Sequence, residues 1–364
     1  MNNRVLRFLN SEILFTNCYE MQTEIDRIFN FFCSHFEMDE NLIGKPLATI
    51  EVNPYEQFNR GSYPTAEFEN VVIRRSSAKE FNLEGDKANV DDLEIIDSQG
   101  TGTAFVLNSK KKTVKAYLSI GSHVQFVELI RDLIIKHEEH CGTLILHAAA
   151  AVDHHGNGIV IVGNKGAGKS TFLLDLVGRQ GYNFISGDKV FIRNKNGIAL
   201  LYGWPEFPHL GYDTLKGHPA LIEELSKAGY TIDDLNMKEK LLFTSDILQK
   251  AFGYAVKKNG VPLRNVIFPN VQAATEKTSL DLVHSIDRKM KFLKHFEFCC
   301  DNYFAGYHNY MKMLPPKDCK TMVEKFKTII ETLNFYSASG AHPINVSTLS
   351  IMNKEKVETG GEDC

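Results

Sequence analysis

The chain has 364 residues, 43% hydrophobic and 24% charged, an ordinary balance for a globular protein with room for about two domains. Lys and Arg number 41 against 45 Asp and Glu, a net charge of −4, so no global field invites nucleic acid and no nucleic-acid partner is expected. Seven cysteines (Cys18, Cys33, Cys141, Cys299, Cys300, Cys319 and Cys364) form an odd, reduced pattern, and no signal-peptide core or membrane-length apolar run is present, so a cytoplasmic protein without a membrane partner is expected.

Residues 1–121 read as a strand-rich N-terminal region with one early helix, a candidate substrate-binding part or a layer packed on the core. Strands are expected at Val5–Leu9, Leu47–Val52, Val71–Arg74, Leu93–Ile96, Thr103–Leu107 and Thr113–Ser119. The helix is Thr23–Phe36, with Ile25, Ile28, Phe29, Phe32 and Phe36 on one core-facing stripe. A second helix runs from His123 to Glu139, with Ser122 and Gln125 spaced as a capping box. Its end, His137-Glu138-Glu139-His140-Cys141, reads as an exposed helix end, because zinc-binding histidines on a helix stand four apart and these stand three apart.

Thr143–Val152 and Gly158–Val162 then read as a hairpin whose first strand carries His147. Tyr182–Ile185 is a buried strand ending at Ser186-Gly187-Asp188, and Tyr202–His209 is a stiff aromatic loop with the single tryptophan. A short helix at Pro219–Ala228, a strand at Arg264–Phe268 and helices at Asp281–Phe298 and Cys319–Leu333 complete a second domain over 122–350; residues 351–364 read as a flexible tail.

Between the hairpin and the Tyr182 strand lie Gly163, Asn164, Lys165, Gly166, Ala167, Gly168, Lys169, Ser170 and Thr171, a match to the G-x-x-x-x-G-K-[ST] loop that wraps nucleotide phosphates. A β-branched run precedes the loop and a helical apolar face follows it, the order that places phosphates on a helix N-terminus. The loop residues are assigned to ATP, Lys169 as a point charge on the phosphates, and Ser170 with Asp188 as ligands of Mg²⁺.

No Asn-Lys-x-Asp guanine reader is found, no transporter signature follows, and kinases of the eukaryotic type use other loops. Leu146-His147, the hairpin, the glycine loop and Gly181–Val190 together resemble the HPr kinase/phosphorylase family and its divergent members, related to the ATP-dependent phosphoenolpyruvate carboxykinases. The resemblance spans roughly residues 142–192 and extends loosely to about 270, where Val261-Pro262-Leu263-Arg264 is similar to a stretch of the divergent kinases. It implies an α/β fold with a P-loop core of the HPr kinase type and an ATP- and Mg²⁺-dependent kinase.

Two departures stand out: glycine, Gly187, replaces the family's first aspartate, and the Glu-x-Arg-Gly signature of HPr kinases is missing, which argues against HPr as acceptor. The acceptor implied is a hydroxyl on a specialised metabolite or biosynthetic peptide. A regulatory protein-serine kinase and a nucleotide sensor without transfer activity are the alternatives, GTP or pyrophosphate stays open as donor, and a homo-oligomer is compatible with the reading. The proton of the acceptor falls to His147 or Asp188. Arg264 is a candidate phosphoryl clamp and equally a surface strand residue. Lys238 and Lys240 are further cation candidates, and Trp204, Glu206, His209 and His218 are candidates for the acceptor pocket.

Overall fold

A computed structural model of the chain describes residues 3–74, 83–206, 209–231, 241–242, 245–253, 256–271, 277–284, 286–301 and 307–344. It is a mixed α/β protein that divides into two compact units, one of residues 1–143 and 297–322, the other of 144–296 and 323–364. The division falls after the second helix rather than at residue 121, so the helix expected to open the second domain belongs to the N-terminal unit.

The first unit is built on nine strands: β1 (Arg4–Phe8), β2 (Ser11–Thr16), β3 (Glu37–Asp39), β4 (Ala48–Pro54), β5 (Glu69–Arg74), β6 (Leu83–Val90), β7 (Leu93–Ser98), β8 (Thr103–Asn108) and β9 (Thr113–Leu118). They form one sheet in the order β3-β1-β2-β4-β9-β8-β7-β6-β5, with β2, β4 and β9 parallel. All six expected strands are present; β2, β3 and β6 were not expected, and β6, Leu-Glu-Gly-Asp-Lys-Ala-Asn-Val, shows why. Its sequence is too polar to read as a strand, and pairing on both sides with β5 and β7 holds it in the sheet. The helices α1 (Gln22–Phe32) and α2 (His123–His140) turn apolar faces to each other and the sheet; Phe126 lies 5.9 Å from Phe15 and 5.8 Å from Phe105.

The expected capping box at α2 does not form. Ser122 makes no cap bond to the helix; its hydroxyl donates to Ser119 O, while Gln125 is buried and donates to Ser98 Oγ at 2.6 Å. Tertiary partners outcompete the local motif.

Polar residues of α2 are also buried. Asp132 Oδ2 is ion-paired with Lys136 Nζ at 2.7 Å and stands 2.8 Å from His308 Nε2, and all three residues are at most 5% exposed. Burial alone would raise the Asp132 carboxyl, yet His308 and Lys136 hold it below its usual range. Glu139 Oε1 accepts from the Cys299 amide at 2.8 Å, but Oε2 has no hydrogen-bond partner among the described residues, and burial pushes this carboxyl up to about 7.

The folded state therefore keeps a proton on Glu139 that the unfolded chain releases near 4.5. Stability from this group is complete below about pH 4.5 and is lost as pH rises through about 7. Glu139→Gln keeps the acceptor oxygen and removes the ionisation. Denaturant unfolding across pH 5–8 should show a flatter profile, with the variant gaining on the order of 2 kcal/mol relative to wild type at the alkaline end.

The second unit contains β10 (Leu144–His147), β11 (Ala149–Val152), β12 (Gly158–Ile161), α3 (Lys169–Gln180), β13 (Asn183–Ser186), β14 (Lys189–Lys195) and β15 (Ile198–Gly203). The short pair β16 (His209–Leu210) and β17 (Leu241–Leu242) accompanies α4 (Tyr212–Leu215), α5 (Pro219–Lys227) and α6 (Ser245–Phe252). Then come β18 (Val261–Val271), β19 (Lys277–Leu282), α7 (Ile286–Leu293), β20 (Phe296–Glu297), α8 (Pro316–Ile330) and β21 (Asn334–Ile344). The sheet runs β13-β11-β12-β18-β15-β14-β10-β20, with β21 beside β18 and β19 beside β21.

The helix expected over Asp281–Phe298 is instead the end of β19 followed by the short α7. Pairing with β21, a strand the sequence reading lacked, holds residues 277–282 extended. Helix α3 buries Phe172, Leu173, Leu174, Leu176 and Val177 in one core with Ile159, Ile161, Ile267 and Tyr336. The expected tail over 351–364, and Lys238 and Lys240, lie outside the described residues.

Candidate functional site

The glycine loop connects β12 to α3, two elements anchored from both sides. β12 is fully buried and parallel to β18, and Val162 N donates to Ile267 O at 2.9 Å just before the loop begins. Gly166 and Gly168 have φ of +87° and +94°, a region that resists side chains, so glycine is required at both. Ala167 N closes a turn on Asn164 O at 3.1 Å, and Phe172 N opens the helix on Gly168 O at 2.9 Å. Asn164, Lys165 and Gly166 are exposed. The result is an exposed loop leading into a helix N-terminus, an arrangement suited to an anion. Thr171 commits its hydroxyl elsewhere, to Thr214 Oγ1 at 2.9 Å.

The chemistry gathers beside the loop. Lys169 Nζ donates to Gly163 O at 2.8 Å and stands 3.2 Å from His147 Nε2, and the same His147 nitrogen is 3.4 Å from Asp188 Oδ1. Three residues named from the sequence thus meet at one imidazole nitrogen. The hairpin expected from Thr143 to Val162 explains how. Only β11 and β12 form it; the chain breaks at Ala148, and β10 pairs instead with β14, placing His147 opposite Lys189 and next to Asp188. His147 N also donates to His295 O at 3.0 Å, which fixes the backbone at the head of this strand end.

Nε2 of His147 has one lone pair or one proton, not both. It accepts from the Lys169 ammonium when neutral there, and donates to Asp188 when it carries a proton. The side chains of His147 and Asp188 are 29% and 45% exposed, so the cluster is open to a ligand.

Lys189 is a residue the sequence reading missed. It is 2% exposed, and its register opposite His147 brings it onto the same side of the sheet. Nothing local marks it, since its burial follows from the pairing of β10 with β14. The aromatic loop is strapped to the turn carrying Asp188: Ser186 Oγ donates to Trp204 O at 2.9 Å and Gly187 N donates to Glu206 O at 2.7 Å. Glu206 is thereby brought to the Asp188 turn.

Other candidates are not brought to the cluster. Trp204 is fully buried, packed 4.8 Å from Phe191, and belongs to the core rather than a pocket wall. His218 is buried at the start of α5, 3.5 Å from Asp175 Oδ1 and 5.6 Å from Phe252, against residues of α3 and α6. For His209 the described residues give the strand but no side-chain surroundings. Arg264 is exposed near the start of β18, where Leu263 pairs with Gly158, at the end of β12 remote from the loop. Ile267, level with the loop, is three residues on, about 10 Å of strand. Arg264 is therefore a surface strand residue, and Arg264→Ala should leave any nucleotide turnover of the protein unchanged in a steady-state assay.

No family model matches the chain, and no curated protein does. Among the described residues no three His, Cys, Asp or Glu side chains form a ready metal site, and no helix is long and apolar enough to cross a membrane.

Proposed function

We propose that the protein is an ATP- and Mg²⁺-dependent phosphotransferase with a P-loop core of the HPr kinase type, moving the γ-phosphate to a hydroxyl of a small molecule or peptide. The observation that carries this reading is the meeting of the loop lysine, Lys169, with His147 at 3.2 Å while Asp188 stands 3.4 Å from the same nitrogen. A phosphate loop alone binds; a loop whose lysine shares a histidine with a carboxylate also has a proton acceptor at hand.

In this mechanism the loop amides and Lys169 hold the phosphates. As Lys169 turns from His147 to the phosphates, Nε2 is released to take the acceptor proton, and Asp188 steadies the imidazolium that results. This division of labour answers the loss of the family's first aspartate at Gly187. Ser170, the second residue of α3, and Asp188 offer hard oxygens of the kind Mg²⁺ prefers, and a site of two protein ligands suits an ion that keeps water and phosphate around it. The metal would neutralise phosphate charge.

Transfer from γ-labelled ATP with Mg²⁺ into metabolite and small-protein fractions tests the reading. Label in a small molecule or peptide supports it; label in a larger protein favours a regulatory protein kinase, and ATP binding without acceptor label favours a sensor. With an acceptor in hand, His147→Asn should lower kcat about 10²–10⁴-fold while leaving ATP binding intact, as expected for loss of a general base.

A further inference from the structure

The first unit holds two cysteines that the phosphate chemistry does not use. Cys300 lies in the turn Cys299–Asp301 and Cys319 in the first turns of α8. Both are free thiols, and their sulfurs are 3.6 Å apart, in contact. Cys300 is half-buried and Cys319 is 3% exposed, its Sγ also 3.8 Å from Leu314 O. A disulfide has sulfurs ~2 Å apart, so closing this pair needs an approach of about 1.5 Å, within reach of side-chain rotation. Of the other cysteines among the described residues, Cys33 and Cys141 are exposed, with Cys33 Sγ 3.1 Å from Asn30 O and Cys141 Sγ 3.9 Å from His137 Nε2, while Cys18 and Cys299 are buried.

We propose that Cys300 and Cys319 are a modification site, a dithiol that glutathione disulfide converts into an intramolecular disulfide. The Cys300 thiolate, the more accessible sulfur, attacks one sulfur of glutathione disulfide; that S–S bond breaks and one glutathione leaves as its thiolate. Cys319 then gives up its proton and attacks Sγ of Cys300 in the mixed disulfide, and the second glutathione leaves. The dithiol loses two electrons and two protons, and the oxidant gains both. Burial, and then the neighbouring Cys300, push the Cys319 thiol up, so the second step is the slow one and quickens as pH rises.

The bond would close a loop holding His308, set against Asp132, and Asn309, whose amide donates to Glu94 at 2.7 Å. Restricting this loop removes conformations from the unfolded chain, so the oxidised protein should melt a few degrees higher than the reduced one.

The test treats the full-length protein with glutathione disulfide under native conditions, digests it without reduction and reads the peptides by mass. The expected product joins the peptide His295–Lys312 to Asp318–Lys320, lighter by two hydrogen atoms than the separate thiols, and it forms faster at higher pH. Cys319→Ser should stop at glutathione on Cys300, Cys300→Ser should give no linked peptide, and neither variant should show the rise in Tm. Glutathione confined to Cys33 and Cys141, or a link that fragmentation assigns to Cys299, overturns the proposal.

Discussion

Replacing Lys169 with alanine is expected to lower phosphate transfer about 10²–10³-fold while leaving the fold in place, because the lost charge acts on the transferring group. In the structure its Nζ donates to Gly163 O at 2.8 Å, so the side chain closes the loop it belongs to, and it stands 3.2 Å from His147 Nε2. Alanine removes both contacts, yet the buried face of α3, from Phe172 to Val177, does not include this side chain. Unfolding should therefore change little while turnover collapses. Arginine should not restore the rate, since its planar fork does not replace a compact ammonium held against one carbonyl and one imidazole. Wild-type turnover in Lys169→Ala would remove the loop from the chemistry.

The largest loss of stability is expected from Lys136→Ala. Its side chain is fully buried, and its ammonium is 2.7 Å from Asp132 Oδ2 in the middle of α2. Removing it leaves the buried Asp132 carboxylate with His308 as its one remaining cationic partner among the described residues, a change that typically costs about 3–5 kcal/mol. Urea unfolding monitored by circular dichroism gives the value directly. The double variant Lys136→Met with Asp132→Asn should recover much of the loss, because the penalty comes from the orphaned charge rather than from missing volume. Recovery would also remove acid sensitivity: the Asp132 contribution is present above its unfolded value and is lost as pH falls through its lowered folded value.

The glycine loop, the strand before it and the helix after it were legible in contiguous residues, since Gly166 and Gly168 hold positive φ and the apolar spacing from Phe172 to Val177 makes one buried face. Most strands of the first unit were legible as well, their apolar runs lying between turn residues. Local capping chemistry misled at Ser122, and helical spacing misled over 281–298, where partners distant in the chain decided the conformation.

The sequence by itself therefore determined the elements whose geometry is written in neighbouring residues: the loop, α1, α2 and α3, and the strand that ends near Asp188. The tertiary structure alone decided which residues meet. The break at Ala148 and the pairing of β10 with β14 put His147 between Lys169 and Asp188 and bury Lys189 opposite it, while the parallel register of β12 and β18 carries Arg264 away from the loop. The reason is physical: a turn is selected by the φ and ψ that its own residues allow, whereas strand register is selected by which buried faces match across the whole sheet.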